Sequence, residues 1–468
     1  MKKAISLKAI TSLALSFILA FSVLTAFVSA ADAMSQIETI NYYGDFENGI
    51  SGDLTANGNP QIFRFFKFNS ELSSEQAYRG NYSLKSVAAD TDPFFLFDVN
   101  LEANTSYAVS INVLSAEKTS SARFELSGAA SGSRQGVIFD ANRWTECTYA
   151  FTTAAAAQYR VVLKGFEKGK TYYFDCLSFK KLTDENTAVA YKTDFEDEDT
   201  AEWTSNTATR FTSDTSLSGE KSLMIAAQSE IAQYSAGYTV IPVAKNTDYV
   251  LHFYGKRASN DGSALINVLD EASGSLIGGS RFINGAVKGY DENGSAVFEH
   301  TEWGLNEMTF NSGNNCYIKL IFSVNGAAAY ADDIYLAKKA GSYKSENEAY
   351  GTVSGTPKTL CFGEEFTLTA APNNGYSFAG WYDGQNKLIT LARNYEGVIT
   401  DDEEFIAKFF LTGDLNEDDE VDTRDIALLR KVLIGAANSN RADVNGNGKI
   451  DITDLISLKK VLAAANGK

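Results

Sequence analysis

The sequence DLNEDDEVDTRD at residues 414–425 decides how the end of the chain folds, and DVNGNGKIDITD at 443–454 repeats its pattern. Both stretches carry Asp or Asn at positions 1, 3, 5, 9 and 12, and the second begins 29 residues after the first (443 minus 414). Short oxygen-bearing side chains at this spacing wrap one calcium ion, with a backbone carbonyl at position 7. The predicted ligands are Asp414, Asn416, Asp418, Glu420, Asp422 and Asp425 in the first loop, and Asp443, Asn445, Asn447, Lys449, Asp451 and Asp454 in the second.

Each loop is followed by apolar residues at helical spacing, which predicts one helix after each loop. Val421 and Ile450, at position 8 of the loops, are expected to point inward. No entering helix is predicted before the first loop, because residues 405–410 have the pattern of a strand. The apolar helix positions are Ile426, Leu429, Val432 and Leu433, and Leu455, Leu458, Val461 and Leu462.

The missing entering helix, and Asp rather than Glu at position 12, make residues 413–466 resemble a type I dockerin. The resemblance implies two calcium ions needed for folding, and docking onto a cohesin domain of a scaffolding protein in a polysaccharide-degrading complex. It also implies partner contacts at loop positions 10 and 11 and on the helix that follows. These residues are Thr423, Arg424, Arg430, Lys431, Ile452, Thr453, Lys459 and Lys460. Because positions 10 and 11 differ between the repeats, we do not expect symmetric two-way docking.

Residues 346–411 show a different, strand-like pattern that contains FTLTAAPNNGYSFAGWYDG at 366–384. Asn374-Gly375 and Asp383-Gly384 are turn pairs that accept positive φ, and Trp381 between them is expected to be the large core ring. The string resembles the divergent B-repeat of internalin-type bacterial surface proteins. That resemblance implies a spacer or interaction module.

The rest of the chain alternates apolar and polar residues in short runs, which predicts antiparallel β-structure. Several features recur in the same order after about 145 residues, which predicts two homologous β-domains near 38–182 and 190–339. The recurring pairs are Asp45-Phe46-Glu47 with Asp194-Phe195-Glu196, Gly80 with Gly219, Ser83-Leu84 with Ser222-Leu223, Asn104-Thr105 with Asn246-Thr247, and Trp144 with Trp303.

This order of motifs resembles carbohydrate-binding modules of the family four and nine type, which are jelly-roll β-sandwiches. The expected fold class is therefore mainly β. It comprises two tandem jelly-roll β-sandwiches, a small β-repeat domain and a C-terminal α-helical calcium-binding dockerin.

Sugar sites commonly combine exposed aromatic rings with a few directional polar groups. Strand alternation places Phe63 and Phe65 on one side of the chain, with Phe66 and Phe68 on the other, so one pair is expected in the core. A core role for all four rings remains the alternative. The candidate sugar contacts are Phe63, Phe65, Phe66 and Phe68 in the first β-domain, and Trp203, Tyr234, Tyr238 and Tyr290 in the second.

In related modules a structural calcium ion ties the first strand to the last. The resemblance implies such an ion at Glu47 with Asp175, and at Glu196 with Asp332 or Asp333. The alternative is that these acids are solvated or bond to the backbone.

The N-terminus has Lys2, Lys3 and Lys8 before an apolar run from 9 to 28, and the small residues Ser29 and Ala30. This pattern predicts a secretory signal peptide at residues 1–30, with a retained membrane anchor as the alternative. We therefore expect a secreted, extracellular chain with no membrane span after cleavage, held near the cell surface through cohesin.

Composition excludes several function classes. The formal net charge of −18 argues against nucleic-acid binding. Two histidines leave little room for a histidine-based triad or a multi-histidine metal site. The four cysteines lack metal-like spacing and are expected to be buried free thiols.

These features favour a non-catalytic protein that brings polysaccharide to a cohesin-organised complex. One alternative is a glycoside hydrolase or polysaccharide lyase of unrecognised type, for which His252 with Lys256 and Arg257 is the candidate lyase base. Another is an adhesin that binds proteins.

Overall fold

The computed structural model describes residues 42–44, 46–47, 63–117, 119, 122–128, 132–133, 139, 141–196, 203–205, 208–226, 235–270 and 273–466. The predicted signal peptide and Tyr234 lie outside these residues. Within them, no helix has the length and apolar character needed to span a membrane. The chain forms two compact units, Met1–Leu336 and Ala337–Lys468.

The first sandwich is made of two antiparallel sheets. One has the strand order β3-β4-β11-β6-β9, with β1 paired to β11, and the other has the order β2-β5-β10-β7-β8. The strands are β1 (Tyr42–Gly44), β2 (Phe63–Phe66), β3 (Phe68–Ser73), β4 (Ser83–Ala88), β5 (Phe94–Leu101), β6 (Ser106–Ser115), β7 (Arg123–Gly128), β8 (Gly132–Ser133), β9 (Trp144–Thr152), β10 (Ala157–Lys164) and β11 (Thr171–Lys181).

A short helix, α1 (Asp184–Ala188), leads into the second sandwich. Its sheets have the orders β14-β15-β24-β17-β22, with β12 paired to β24, and β13-β16-β23-β18-β19. The strands are β12 (Val189–Thr193), β13 (Thr204–Ser205), β14 (Ala208–Thr212), β15 (Ser222–Ala226), β16 (Ser235–Pro242), β17 (Asp248–Arg257), β18 (Ser263–Leu269), β19 (Leu276–Phe282), β20 (Ala286–Tyr290), β21 (Ala296–Glu299), β22 (Gly304–Asn311), β23 (Tyr317–Asn325) and β24 (Ala329–Lys338).

The two sandwiches share one topology, because each sheet of the first has a counterpart with the same strand order in the second. The hairpin β20–β21 has no such counterpart among the described strands of the first sandwich. Alternation builds the cores: along β23, Ile318, Leu320, Phe322 and Val324 are buried, while the residues between them face outward. The four cysteines are buried thiols outside any disulfide, as the sequence predicts.

The recurring motifs fix the same turn in both sandwiches. Gly80 and Gly219 have φ of 72° and 56°, a region that glycine adopts without strain. A Cβ at Gly80 would lie 3.0 Å from Glu47 Cγ, and one at Gly219 would lie 2.8 Å from Glu196 Cγ. The glycine therefore makes room for the glutamate of the Asp-Phe-Glu motif.

The two sandwiches pack against each other through small side chains. Ala108 and Ala150 of the first are clustered with Cys316 of the second. The rings of Tyr149 and Tyr317 meet edge-on with centroids 6.1 Å apart. This contact joins the sandwiches directly.

The second unit begins with a small two-sheet β-domain. Its sheets have the orders β25-β31-β28-β29 and β26-β27-β30. Trp381 is 0% exposed at the centre of its core, as the sequence predicts. The strands are β25 (Ser342–Ser345), β26 (Gly351–Thr356), β27 (Glu365–Pro372), β28 (Tyr376–Tyr382), β29 (Leu388–Thr390), β30 (Asn394–Val398) and β31 (Glu404–Leu411).

Two helices complete the unit, α2 (Thr423–Leu433) and α3 (Ile452–Asn466), one after each acidic loop. Leu429, Leu455 and Leu458 are buried between them, and the other predicted apolar positions of the first repeat pack against this core. The fold is mainly β with a C-terminal helical pair, which confirms the expected fold class.

Candidate calcium, partner and carbohydrate sites

Both acidic loops are closed by the aspartate at position 12. Asp425 is fully buried, and its carboxylate accepts hydrogen bonds from the amides of Leu415 at 2.8 Å and Asp422 at 2.9 Å. Asp454 is also fully buried and accepts from Asn445 N at 3.1 Å and Asp451 N at 2.8 Å. The two loops therefore close in the same way.

The backbone of both loops is left-handed at positions 4 and 6. Glu417 and Asp419 have φ of 64° and 62°, and Gly446 and Gly448 have φ of 71° and 78°. Glycine suits these positions, whereas the first loop places acidic residues there. The two loops thus share a wrapped conformation although their sequences differ.

The donor set fits a calcium ion. The side chains that converge in each loop offer carboxylate and amide oxygens, which hard cations prefer. Asp414, Asp425 and Asp454 are at most 1% exposed, and buried carboxylates need a compensating charge or hydrogen bonds. A bound calcium ion would supply positive charge at the residues already named as ligands.

Arginine side chains reach the first loop. Arg424 places Nη1 at 2.7 Å from Asp418 Oδ2, Nε at 2.8 Å from Asp422 Oδ2 and Nη2 at 2.8 Å from Glu420 Oε2. Arg441 Nη1 lies 3.0 Å from Asp414 Oδ2. Hydrogen bonds from the Arg424 amide and guanidinium lower the pKa of Asp422.

The predicted partner contacts all lie on the surface. The eight residues Thr423, Arg424, Arg430, Lys431, Ile452, Thr453, Lys459 and Lys460 are exposed. Ile456, which the sequence analysis did not select, is 49% exposed one turn after Ile452. The prediction for Ile450 is wrong: it is 47% exposed, whereas Val421 packs against the core. The second repeat therefore presents an apolar stripe that the first lacks.

A second candidate site is the outward face of the five-stranded sheet in the first sandwich. Phe66 on β2 and Phe94 on β5 stack there with centroids 4.9 Å apart and an interplanar angle of 18°. Phe66 is 38% exposed, so part of this apolar surface faces solvent. Such a surface can receive the C–H face of a sugar ring.

Ion pairs fix polar groups on the same face. Arg160 Nε lies 2.6 Å from Asp98 Oδ1 and Arg160 Nη2 lies 2.9 Å from Asp98 Oδ2, and these hydrogen bonds raise the pKa of Arg160. Burial raises the pKa of Glu125, but hydrogen bonds from Lys164 and Arg123 outweigh burial and the pKa is lowered. The face therefore combines an apolar stack with ordered, charged hydrogen-bonding groups.

The corresponding face of the second sandwich also carries aromatic side chains. Tyr238, a predicted sugar contact, lies on β16 with Lys319 Nζ 3.8 Å from its ring centroid. Phe282 at the end of β19 is 62% exposed and pairs with Leu265, and Tyr290 on the hairpin β20–β21 is 72% exposed. The sequence analysis missed Phe282, whose position depends on the pairing of β18 with β19.

Three predicted sugar contacts are corrected by the structure. Trp203 is 1% exposed in the core of the second sandwich and donates from Nε1 to Tyr191 OH at 3.0 Å. Phe65 and Phe68 both pack against the core of the first sandwich. Lys67 between the strands has φ of 59°, which breaks the alternation and sends β2 and β3 into different sheets. The side chain of Phe63 is outside the described part of the chain.

The acids expected to hold a structural calcium ion accept backbone hydrogen bonds. Glu47 Oε1 accepts from the amides of Asn81 and Tyr82, each at 2.7 Å, and Asp175 Oδ2 accepts from Tyr78 N at 2.8 Å. In the second sandwich, Glu196 Oε1 accepts from Lys221 N at 2.7 Å.

Asp332 Oδ2 in turn accepts from Leu217 N at 2.8 Å. Calcium at these four acids stays a prediction. The candidate lyase base His252 is 2% exposed, with its Nε2 3.1 Å from Glu307 Oε2, so it does not face solvent.

The C-terminal part of the chain contains a divergent B-repeat and a type I dockerin. The family model described as Dockerin type I domain matches residues 412–463, and Divergent InlB B-repeat domain matches 342–410. Both predicted resemblances are confirmed at these residues. None of the curated proteins compared with this chain matches it.

Parts of the chain are similar to solved carbohydrate-binding modules. The tandem CBM22-1-CBM22-2 domain of Paenibacillus barcinonensis Xyn10C is 14% identical, with 63% of this chain and 96% of that chain covered and a TM-score of 0.25. The C-terminal family 22 module of Clostridium thermocellum Xyn10B is 16% identical, with 30% and 92% covered and a TM-score of 0.24. TmCBM61, solved with β-1,4-galactotriose, is 15% identical, with 31% and 100% covered and a TM-score of 0.23.

Proposed function

We propose that this chain is a secreted, non-catalytic polysaccharide-binding protein that docks onto a cohesin-bearing scaffold through its dockerin. The observation that carries the binding part is the outward face of the first sandwich. Its stacked Phe66–Phe94 pair lies on the same sheet as the bidentate Asp98–Arg160 pair. Apolar ring contact with directional polar groups is the chemistry that a sugar chain requires.

The docking part rests on the dockerin match and on the exposure of all eight implied contact residues. Each loop holds one calcium ion through the ligands named above, so the domain takes up two ions. One further ion in each sandwich, at Glu47 with Asp175 and at Glu196 with Asp332, belongs to the same proposal. The proposal also includes the predicted signal peptide at 1–30 and the predicted domain limits, which are 38–182, 190–339, 346–411 and 413–466. Cohesin binding then keeps the secreted chain at the cell surface.

A binding assay tests the sugar part of the proposal. The calcium-loaded full chain is incubated with a panel of insoluble and soluble polysaccharides, and both depletion of protein and release of reducing or unsaturated ends are measured. Depletion without release is the expected result. Release above a blank would make the chain a hydrolase or lyase. The absence of both depletion and release would favour the adhesin.

Paired variants locate the sugar site. Phe66→Ala is expected to weaken binding to the retained polysaccharide by roughly 1–3 kcal/mol, because one face of the stack is removed. Tyr82→Ala is the matched control, since Tyr82 is 39% exposed but lies in the β3–β4 connection. Equal effects of the two variants would move the site away from the five-stranded face.

Chelation tests the docking part. Because metal binding and folding share free energy in small metal domains, removing calcium should unfold residues 413–466 and abolish cohesin capture. Capture that persists in chelator would contradict it.

A further inference from the structure

We infer that Arg257 and His300 form a carboxylate-binding site at one end of the second sandwich, and that its ligand is an isolated uronic acid group of the polysaccharide. The carboxylate part stands on the two side chains, and the polysaccharide part rests on the proposed function. Arg257 is the last residue of β17, and its amide donates to the carbonyl of His300, which directly follows β21, at 2.6 Å. The site therefore lies where β17 meets the base of the hairpin β20–β21.

Arg257 is a buried cation without an acidic partner. It is 8% exposed, and burial lowers the pKa of its guanidinium. Within the described residues it forms no ion pair, and its one side-chain hydrogen bond runs from Nη1 to the Gly262 carbonyl at 2.7 Å. A buried charge is costly unless an opposite charge or several hydrogen bonds compensate it. An anion beside the guanidinium supplies that compensation.

The hydrogen bond to Gly262 leaves Nε and Nη2 of Arg257 for a ligand. Arg257 Nε is buried and has no hydrogen-bond partner in the part of the chain that the structure describes, and the same holds for Nδ1 of His300. Nε and Nη2 of an arginine form a fork that matches the two oxygens of a carboxylate. His300 adds a third donor when its ring carries the proton on Nδ1.

His300 is positioned as a neutral donor. Its ring stacks on that of Phe298, with centroids 5.9 Å apart and an interplanar angle of 24°. Burial, and then the charge of Arg257, lower the pKa of His300, so the ring is neutral near pH 7. The ring is half-buried, which lets the end group of a ligand approach from the surface.

The neighbouring acid, Glu299, already has its own donors. Its Oε1 accepts from Thr301 Oγ1 at 2.9 Å and from Asn260 Nδ2 at 3.3 Å, and Lys288 Nζ lies 3.3 Å from its Oε2. Hydrogen bonds from these three side chains lower the pKa of Glu299. Glu299 therefore stays ionised without pairing with Arg257, whose charge remains for a ligand.

The first sandwich builds the same backbone contact from small residues. Ser115 ends β6, the counterpart of β17, and forms a β-bridge with Ala141. Ala141 and His300 each lie three residues before the tryptophan of the recurring motif (144 minus 141, 303 minus 300). The contact therefore requires neither an arginine nor a histidine, and the pair of donors belongs to the second sandwich.

The overall charge favours a sparsely charged ligand. The formal net charge of −18 opposes the binding of a continuous polyanion. Salt screens exposed charges beyond about 8 Å at physiological ionic strength, whereas a buried guanidinium is screened much less. A neutral polysaccharide with single uronic acid groups therefore fits this site better than a polyuronate does.

Arginine side-chain NMR of the full, calcium-loaded chain tests the carboxylate site. The Nε–Hε signal of Arg257, assigned with Arg257→Met, should shift and saturate as sodium glucuronate is added, because the carboxylate accepts from Nε. Glucose with matched sodium chloride should not move it. Arg393, an exposed arginine of the small β-domain, is the matched control and should not respond to glucuronate. An Arg257 signal that ignores glucuronate would overturn the inference.

Matched polysaccharides test the source of the carboxylate. Glucuronoxylan and gum arabic carry single glucuronic acid groups, and each is compared with its own carboxyl-reduced form. Reduction should weaken binding by about ten- to hundredfold, the range for losing charge-assisted hydrogen bonds. Arg257→Met should remove this difference, whereas Arg393→Met should keep it. His300→Ala, a milder change at a half-buried position, should reduce the difference in part.

The outcomes separate this inference from the proposed function. Equal binding of the acidic and reduced forms would overturn the polysaccharide part of the inference and leave the proposed function intact. A chain that shows the glucuronate shift but retains no polysaccharide would keep the carboxylate site and refute the proposed function. Hydrogen exchange on peptides of β17 shows whether Arg257→Met is folded.

Discussion

Replacing Gly219 by alanine tests whether the recurring motifs lock the sandwich turns. The glycine has φ of 56°, where alanine costs about 1–2 kcal/mol. The added Cβ would also lie 2.8 Å from Glu196 Cγ, so the glutamate must move. Its Oε1 would then lose amide hydrogen bonds from Glu220 at 2.8 Å and Lys221 at 2.7 Å, each worth about 0.5–1 kcal/mol net. The expected cost is roughly 2–4 kcal/mol.

A double-mutant cycle separates the two contributions. In a Glu196→Ala background no carboxyl group is left to overlap, so Gly219→Ala should cost only the backbone share of about 1–2 kcal/mol. Hydrogen exchange measured by mass spectrometry, read on peptides of β15 and β24, gives the local unfolding free energy in the full chain. The same cost in both backgrounds would refute a lock between the glycine and the glutamate.

Three further predictions concern separate parts of the chain. Trp381→Ala should destabilise the small β-domain by about 3–5 kcal/mol, because the substitution leaves a cavity at the centre of the core. Thermal unfolding of the full chain measures this loss, and a loss below about 1 kcal/mol would contradict the prediction. Burial raises the pKa of Asp332 to about 6, so the folded second sandwich holds this proton more tightly than the unfolded chain. In calcium-free buffer, where no bound cation favours the carboxylate, its unfolding free energy should therefore fall by up to about 3 kcal/mol as the pH rises from about 4 to about 6. Exchange on β24 that does not change with pH after rate correction would contradict this. Asp454→Ala should remove one of the two calcium ions taken up on titration, whereas two ions bound by the variant would place the ligand elsewhere.

The two acidic loops and the small β-domain were predictable because their signals are local. Oxygen-bearing residues at fixed spacing specify a loop within twelve positions, and turn pairs on both sides of Trp381 specify where its ring must go. The position of Ile450 was not predictable in this way. Its exposure depends on how the second loop meets the helices, and the first loop buries Val421 at the same loop position.

The exposure of the candidate sugar contacts was predicted less well because exposure is set by tertiary structure. The four phenylalanines between residues 63 and 68 could each face the core or the solvent. Lys67, which separates Phe66 from Phe68, has a left-handed backbone, and a lysine gives no indication of that conformation in the sequence. Trp203 is of a residue type that is common in sugar sites, but in the second sandwich it is buried in the core. The exposure of Phe282 could be recognised only from the pairing of β19 with β18.

The direct packing of the sandwiches has a consequence for polyvalent ligands. The two sandwiches contact each other directly through Ala108, Ala150 and Cys316. This contact holds them at a fixed spacing. Under the proposed function, if the outward faces of both sandwiches bind sugar, a glycan long enough to reach both meets the second at an effective concentration set by that spacing rather than by linker length. Avidity should then rise for glycans long enough to span the distance and be lost for shorter oligosaccharides.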